Sequence, residues 1–329
     1  MNRNTFIQQI FKINSDDSFN ELALGIFRYQ YQNNVVYHQF VDKLNVKISK
    51  VDHYLKIPFL PIDFFKSHQV TSGIEKAAGF FSSSGTTGKL TSRHYYADLE
   101  LYEQSFSKSF ERVYGKVTDY CILALLPSYL ERNDSSLVYM VSNLIKKSGH
   151  PDSGFYLDEH LNLAGKLHQL DSSGQKVLLI GVSFALLDFI ENHNFILQHA
   201  IILETGGMKG RRREMVREEL HQQLSEGFSI SEIHSEYGMT ELFSQAYSTG
   251  SGFFYPPPWM KILIRDVNDP LTLLMPGKTG GINIIDLANL DSCCFIATQD
   301  LGKAYKDGPF EVVGRFDNSD VRGCNLMVL

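Results

Sequence analysis

Few cysteines, no long apolar run and no surplus of positive charge together remove several protein classes. Cys121, Cys293, Cys294 and Cys324 include no C-x-x-C pair and have no histidines at zinc-finger spacing, so neither a metal nor a disulfide framework is indicated. The longest apolar runs, such as CILALL and KVLLIGV, are far too short to cross a bilayer. The N-terminus, MNRNTFIQQIFKINSDD, meets Gln and Asp before an apolar signal segment can form. Thirty-one Lys plus Arg against thirty-seven Asp plus Glu leave a net charge of -6, which disfavours nucleic acid as a partner. A reduced, cytoplasmic protein without a membrane span is expected.

What is present suits a large core: 43% of the 329 residues are hydrophobic and 21% charged, which allows one large domain or two subdomains sharing an interface. The first seventy or so residues read as helical, with Ser18 and Glu21 as a capping-box pair ahead of Leu22, Ile26 and Tyr29. IPFLPIDFFKSH, with two prolines in five residues, reads as an extended, anchored segment. Beyond residue 80 the runs CILALLP, KVLLIGV and AIILE alternate with helix-sized segments, the pattern of buried parallel strands. After residue 255, PPPWMKILIRDV, LTLLMPGKTGGINIIDL and FEVVGRFD leave no room for helices and suggest a smaller antiparallel β subdomain.

Three stretches could carry chemistry. SSSGTTGKLTS, residues 82 to 92, offers backbone N–H groups and hydroxyls with little steric cover, plus a charge on Lys89, which suits an anion. A polar surface loop is the plain alternative. It is not a Walker A loop, since Leu90 follows Lys89 and Ser83 stands at the first glycine position; MPGKTGG fails too, with Thr272 where glycine is required. SEYGMTELFSQAYS, residues 235 to 248, gathers an aromatic ring, a hydroxyl and a carboxylate in Tyr237, Thr240 and Glu241. These could pack on a purine, bond a phosphate and hold Mg²⁺. A strand end with a capping Thr and a dipole-paired Glu is the alternative. TQDLG and GRFDNSD taken alone read as turns.

In order, the hydroxyl-rich loop, ETGG at 204 to 207, YGMTE, QDLG and GRFD resemble the core motifs of the adenylate-forming acyl-CoA synthetase and ligase superfamily over roughly residues 57 to 329. IPFLPIDFFK, ETGGMKGRRRE, YGMTELFSQAYS and RGCNL are similar, within it, to the LuxE-type acyl-protein synthetases. The resemblance implies an α/β adenylate-forming N-terminal domain, with mixed and parallel sheets flanked by helices and a small antiparallel β subdomain. It implies a single domain over 1–329: a helical cover over 1–75, an α/β core over 76–254, a β subdomain over 255–317 and a tail over 318–329. Set against the superfamily pattern, the small C-terminal domain, with its lysine, is expected to be missing.

By the same resemblance the cofactors are ATP and Mg²⁺. Ser82, Ser83, Ser84, Gly85, Thr86, Thr87, Gly88 and Lys89 wrap the phosphates, and Gly206 with Gly207 lets adenine and the acyl chain approach. Tyr237 and Gly238 lie by the adenine, Thr240 contacts the α phosphate, Glu241 holds Mg²⁺, Asp300 takes the ribose hydroxyls, and Arg315 joins the nucleotide site. Lys89, Thr240, Glu241 and Cys324 are the implied catalytic residues. A carboxylic acid, a fatty acid in the first instance, becomes acyl-AMP with loss of pyrophosphate and is then transferred to Cys324. Arg322 two residues away favours the thiolate.

Gln299 and Asn318 depart from the superfamily pattern, and the absent C-terminal domain weakens CoA as acceptor. Acyl transfer to CoA or to a partner protein, and a nucleotide-binding paralogue without turnover, remain alternatives. GVSFA, residues 181 to 185, approximates a nucleophile elbow at Ser183, though Ser183 as a cap of the following helix is the simpler reading. KGRRRE reads as a solvated helix start. His94 and His234 lie close to the motif loops without an assigned role.

Overall fold

The computed structural model describes residues 2–83, 90–127, 134–157, 159–206, 212–213, 215–306 and 308–316. The chain opens with helices α1 (Arg3–Ile10), α2 (Asp16–Asn33) and α3 (Val35–Lys43), then a short strand β1 (Leu60–Pro61) and one helical turn α4 (Phe64–Ser67). A hairpin follows, β2 (Gly79–Ser82) and β3 (Arg93–Tyr96). Next come α5 (Glu100–Tyr114), β4 (Cys121–Leu125), α6 (Ser136–Ser148), β5 (Gly154–Phe155), α7 (His160–Ser172), β6 (Val177–Val182) and α8 (Ser183–Asn192). Then β7 (Ile201–Thr205), α9 (Arg217–Phe228), β8 (His234–Tyr237) and β9 (Ala246–Ser248) precede the last strands: β10 (Met260–Arg265), β11 (Thr279–Asp286), β12 (Phe295–Ala304) and β13 (Phe310–Arg315).

The three apolar runs become β4, β6 and β7, at the centre of a six-stranded sheet ordered β5-β4-β6-β7-β8-β9. All its pairs are parallel except β8 with β9. Helices cover both faces, which is why Cys121 to Leu125 and Val177 to Val182 are buried along their whole length. In such a sheet ligands collect beyond the carboxyl ends of the strands, here at Val182, Thr205 and Tyr237.

β10 to β13 form the antiparallel sheet that the late sequence suggests, with one addition: β1 pairs in parallel with β12, Leu60 opposite Ile296. The segment 57–68 is thus anchored as expected, but the stretch after its second proline closes into the turn α4 rather than staying extended. The two sheets are stitched by the bridges Tyr247 to Tyr255 and Phe254 to Phe310. Tyr237, from the end of β8, packs its ring on Phe310 at 5.3 Å and Phe254 at 5.8 Å.

Two local readings change. Helix α2 is capped by Ser15, whose side chain accepts from Ser18 N while Ser18 Oγ accepts from Ser15 N. Ser18 is therefore the returning partner of the box and not its cap, because a second hydroxyl serves there as well as a glutamate does. Ser183 does not cap α8; its Oγ donates to Glu204 Oε2 at 3.1 Å. No helix among the described residues is long and apolar enough to cross a membrane.

Helices α1 and α2 reach the far end of the antiparallel sheet through buried polar contacts. Gln30 Nε2 donates to the carbonyls of Asn289 and Leu290, and Gln30 Oε1 accepts from Cys294 N. Asn34 Nδ2 donates to Ser292 O at 2.9 Å. Arg3 forms a two-toothed pair with Asp291 at 2.6 and 2.7 Å. Buried polar groups of this kind are stable only when matched, so the helices and the 289–294 turn specify one another.

Candidate active site

Strand β8 ends in Tyr237, and the alternation of side chains along a strand sends Glu236 and Tyr237 to opposite faces. Tyr237 faces the antiparallel sheet, where its hydroxyl donates to Asp300 Oδ2 at 2.8 Å. Arg315, directly opposite Asp300 on β13, donates from Nε to Asp300 Oδ1 at 2.8 Å. Asp300 is buried while the Arg315 side chain is 78% exposed, so the pair runs from the interior to the surface. Burial, with the Asp300 carboxylate beside it, pushes the Tyr237 phenol far up, and it stays a neutral donor.

Glu241 sits four residues beyond Tyr237 in a turn with no helix after it, which removes the helix-cap reading of Thr240 and Glu241. The Glu241 side chain is 6% exposed. Burial pushes its carboxyl up; a hydrogen bond with Ser92 and the charges of Lys66 and Arg315 oppose that. Ser92 is the last residue of the hydroxyl-rich stretch, and its backbone N–H donates to Ser83 Oγ at 2.9 Å. The hairpin β2–β3 therefore brings Ser83 and Ser92, at the two ends of the loop, together, and Ser92 near enough to lower the pKa of the Glu241 carboxyl. Ser82, at the end of β2, is tied to Asp134 through its backbone and its hydroxyl.

Hydrogen bonds thus join Tyr237, Asp300 and Arg315 in one group and Ser83 with Ser92 in another, and the charge of Arg315 acts on Glu241, with Thr240 next to it in the turn. Gly238 is exposed at the tip of β8, and a Cβ there would lie 2.3 Å from Glu236 Oε1. Gly206 follows β7 at φ +73°, a conformation suited to glycine. Ser84, Gly85, Thr86, Thr87, Gly88, Lys89, Gly207 and Cys324 lie outside the described residues. The other three cysteines are free and buried.

Sequence reasoning missed Lys66, Ser92, Thr205 and Glu236, and gave His94 no role. His94 is buried on β3 and pushed down to about 4 by that burial, despite its hydrogen bond to the Thr240 carbonyl. Thr205 Oγ1 donates to Glu236 Oε2 at 2.5 Å. Burial pushes the Glu236 carboxyl up to about 7, against the Thr205 bond and with help from Glu204. Folding then takes up a proton near neutrality, and stability falls as pH rises from the unfolded value of 4.5 through about 7. Glu236→Gln is expected to flatten that decline and to stabilise the fold at pH 8 by at most about 3 kcal/mol, less for its partial exposure. Thermal melts of both proteins at stepped pH would show it.

Ser183 has the wrong surroundings for a hydrolase. It is 2% exposed and bonded to Glu204. The nearby His221 meets Ser235 at 3.1 Å and Glu204 at 3.6 Å, and no histidine among the described residues bonds Ser183. Of the KGRRRE run, Arg212 is paired with Asp188 and Glu191, ahead of a helix that starts at Arg217.

No group of three or more His, Cys, Asp or Glu among the described residues could hold a metal alone. Mg²⁺ that takes most of its oxygens from phosphates and water needs only one or two protein carboxylates. Glu241, desolvated and without an ion pair among the described residues, fits that requirement.

Comparison with known proteins identifies the fold and the family. The architecture resembles a 2-hydroxyisobutyryl-CoA ligase solved with 2-hydroxyisobutyryl-AMP and CoA: TM-score 0.68, 10% identity, covering 93% of this chain and 72% of that one. It also resembles an O-succinylbenzoate coenzyme A synthetase from Bacillus subtilis solved with ATP and a magnesium ion: TM-score 0.50, 20% identity, 73% of this chain and 50% of that one. The chain spans about half the length of the ATP-bound structures it matches. The fold is that of the adenylate-forming ligases. A long-chain-fatty-acid–luciferin-component ligase of Vibrio harveyi is 26% identical over 338 aligned positions, covering 93% of this chain and 85% of that one. The family model for acyl-protein synthetase, LuxE, matches residues 11–329, and the chain belongs to that family.

Proposed function

We propose that this chain joins a carboxylic acid, a fatty acid in the first instance, to AMP at the expense of ATP, and then passes the acyl group to the thiol of Cys324. The observation that carries the first step is the convergence of three separate stretches: Ser83 and Ser92 joined at the ends of the hydroxyl-rich loop, Glu241 within electrostatic reach of Ser92 and Arg315, and Asp300 held by Tyr237 and Arg315. Two anions must approach when a carboxylate attacks the α phosphorus, so fixed donors and positive charge have to offset their repulsion. Arg315, and Lys66, which is paired with Asp63, supply charge near Glu241, and the sequence of the loop offers hydroxyls, N–H groups and Lys89. Mg²⁺ on Glu241 would neutralise the phosphates.

In the second step the Cys324 thiolate attacks the acyl carbonyl, the acyl–phosphate bond breaks, and AMP leaves with the electron pair. The other three cysteines suit this step less. Burial raises Cys121 to about 11 and Cys293 to about 12, and drives Cys294 well up, so none is a ready nucleophile. The fatty acid as substrate, and a protein or CoA as the eventual acceptor, are supported by the Vibrio relative and the ligase neighbours. Acid-dependent exchange of labelled pyrophosphate into ATP tests the first step over a panel of acids and is expected with Mg²⁺ present. ATP binding without exchange for any acid would instead mark a nucleotide-binding bystander.

A further inference from the structure

Thr240 and Glu241 lie in a turn, and their usefulness depends on what fixes it. The antiparallel sheet grips one side. Asn289 Nδ2 donates to the Glu241 carbonyl at 2.8 Å, Phe243 N donates to Asn289 Oδ1 and Asp286 Oδ2, and Ser244 N donates to Asp286 Oδ2. From the hairpin side, His94 reaches the turn's backbone, with Nδ1 at 2.9 Å from the Thr240 carbonyl oxygen. His94 stands on β3, two residues after Ser92, whose side chain lowers the pKa of the Glu241 carboxyl.

The ring has no freedom. It is 1% exposed, stacks on Phe243 at 4.4 Å and meets the Phe65 ring edge-on at 5.8 Å. A carbonyl oxygen can only accept, so Nδ1 carries the proton. In the neutral ring Nε2 is then the acceptor for the Ser292 hydroxyl, 2.7 Å away. The Ser292 carbonyl is itself held by Asn34 and Ser72. One tautomer and one orientation satisfy every partner.

We propose that His94 is a positioning residue for acid activation: its Nδ1–H locks the Thr240–Glu241 peptide against strand β3, so that the Glu241 carboxyl is held beside Ser92, the residue that leads into that strand. The proposal rests on the adenylation reading. His94 meets no reacting atom, and with both nitrogens engaged it shuttles no proton. Its contribution is geometric, and a displacement of about 1 Å in such a turn can cost ~10²-fold in rate.

Four variants separate this role from simple packing: His94→Asn, His94→Gln, His94→Phe and Ser292→Ala. Asn presents an amide N–H close to the Nδ1 position, Gln reaches only the Nε2 position, and Phe keeps the stacking alone. Pyrophosphate exchange would be measured across a Mg²⁺ titration at saturating ATP and acid, with thermal melts alongside. His94→Asn is expected within about threefold of wild type, whereas the Gln and Phe variants fall ~10²-fold and need several-fold more Mg²⁺. Ser292→Ala, which leaves the Nδ1 bond intact, should keep most of the rate and tests the idea even if the ring variants do not fold. Equal losses in Asn and Gln, losses that follow melting temperature with unchanged Mg²⁺ dependence, or a collapse in Ser292→Ala would each overturn the proposal. No exchange in the wild type would instead sink the adenylation reading beneath it.

Discussion

Asp300→Ala is expected to weaken ATP binding by ~10²-fold or more, because a hydrogen bond to a charged group contributes about 1.5–3 kcal/mol and a ribose diol offers this carboxylate two. The geometry supports the size of the effect. Tyr237 and Arg315 each hold one carboxylate oxygen at 2.8 Å, and Asp300 N donates to Thr298 Oγ1 at 3.1 Å, so side chain and backbone are both fixed before any ligand arrives. Alanine also strips the buried Tyr237 hydroxyl of its acceptor, which costs about 1–3 kcal/mol of stability. Asp300→Asn separates the two effects: its carbonyl can still accept from Tyr237, while the charge facing Arg315 is gone. The expected order of ATP affinity is wild type, then Asn, then Ala, with Asn melting closer to wild type. Calorimetric titration with ATP measures it, and an unchanged affinity in Asp300→Ala would remove Asp300 from the nucleotide site.

Cys324→Ser should have the opposite profile: pyrophosphate exchange close to wild type and complete loss of a hydroxylamine-sensitive acyl label. A thiolate is a far better nucleophile than an alcohol at neutral pH, and a thioester keeps the acyl group reactive for onward transfer. The label is expected in wild type by intact mass after incubation with ATP, Mg²⁺ and a fatty acid. A wild-type label that survives Cys324→Ser would move the acceptor elsewhere. A wild type that makes acyl-AMP and labels only when a second protein or CoA is added would assign the thiol to a partner.

The parallel strands were legible because CILAL, VLLIGV and IILET are unbroken apolar runs, and burial on both faces is the one environment that tolerates them. The residues proposed for the nucleotide were legible only by their order along the chain; SSGTTGK or YGMTE alone permits an ordinary turn. His94, Ser292 and Glu236 carry no such signal. Their significance comes from partners 146, 198 and 31 positions away, and a lone histidine or serine reads the same whether it faces water or a catalytic turn. The cap of α2 was misplaced for the converse reason: Ser15 and Ser18 both fit locally, and the choice was made by hydroxyl geometry.

Gln30 and Asn34 bear on how this family can change. They bond the 289–294 turn, whose Asn289 and Ser292 lead on to Glu241 and His94. The opening helices are therefore not an interchangeable cap. A chimera taking them from a distant relative that lacks these amides would leave buried carbonyls some 260 positions downstream without donors, and would need residues 286–294 from the same parent to regain turnover.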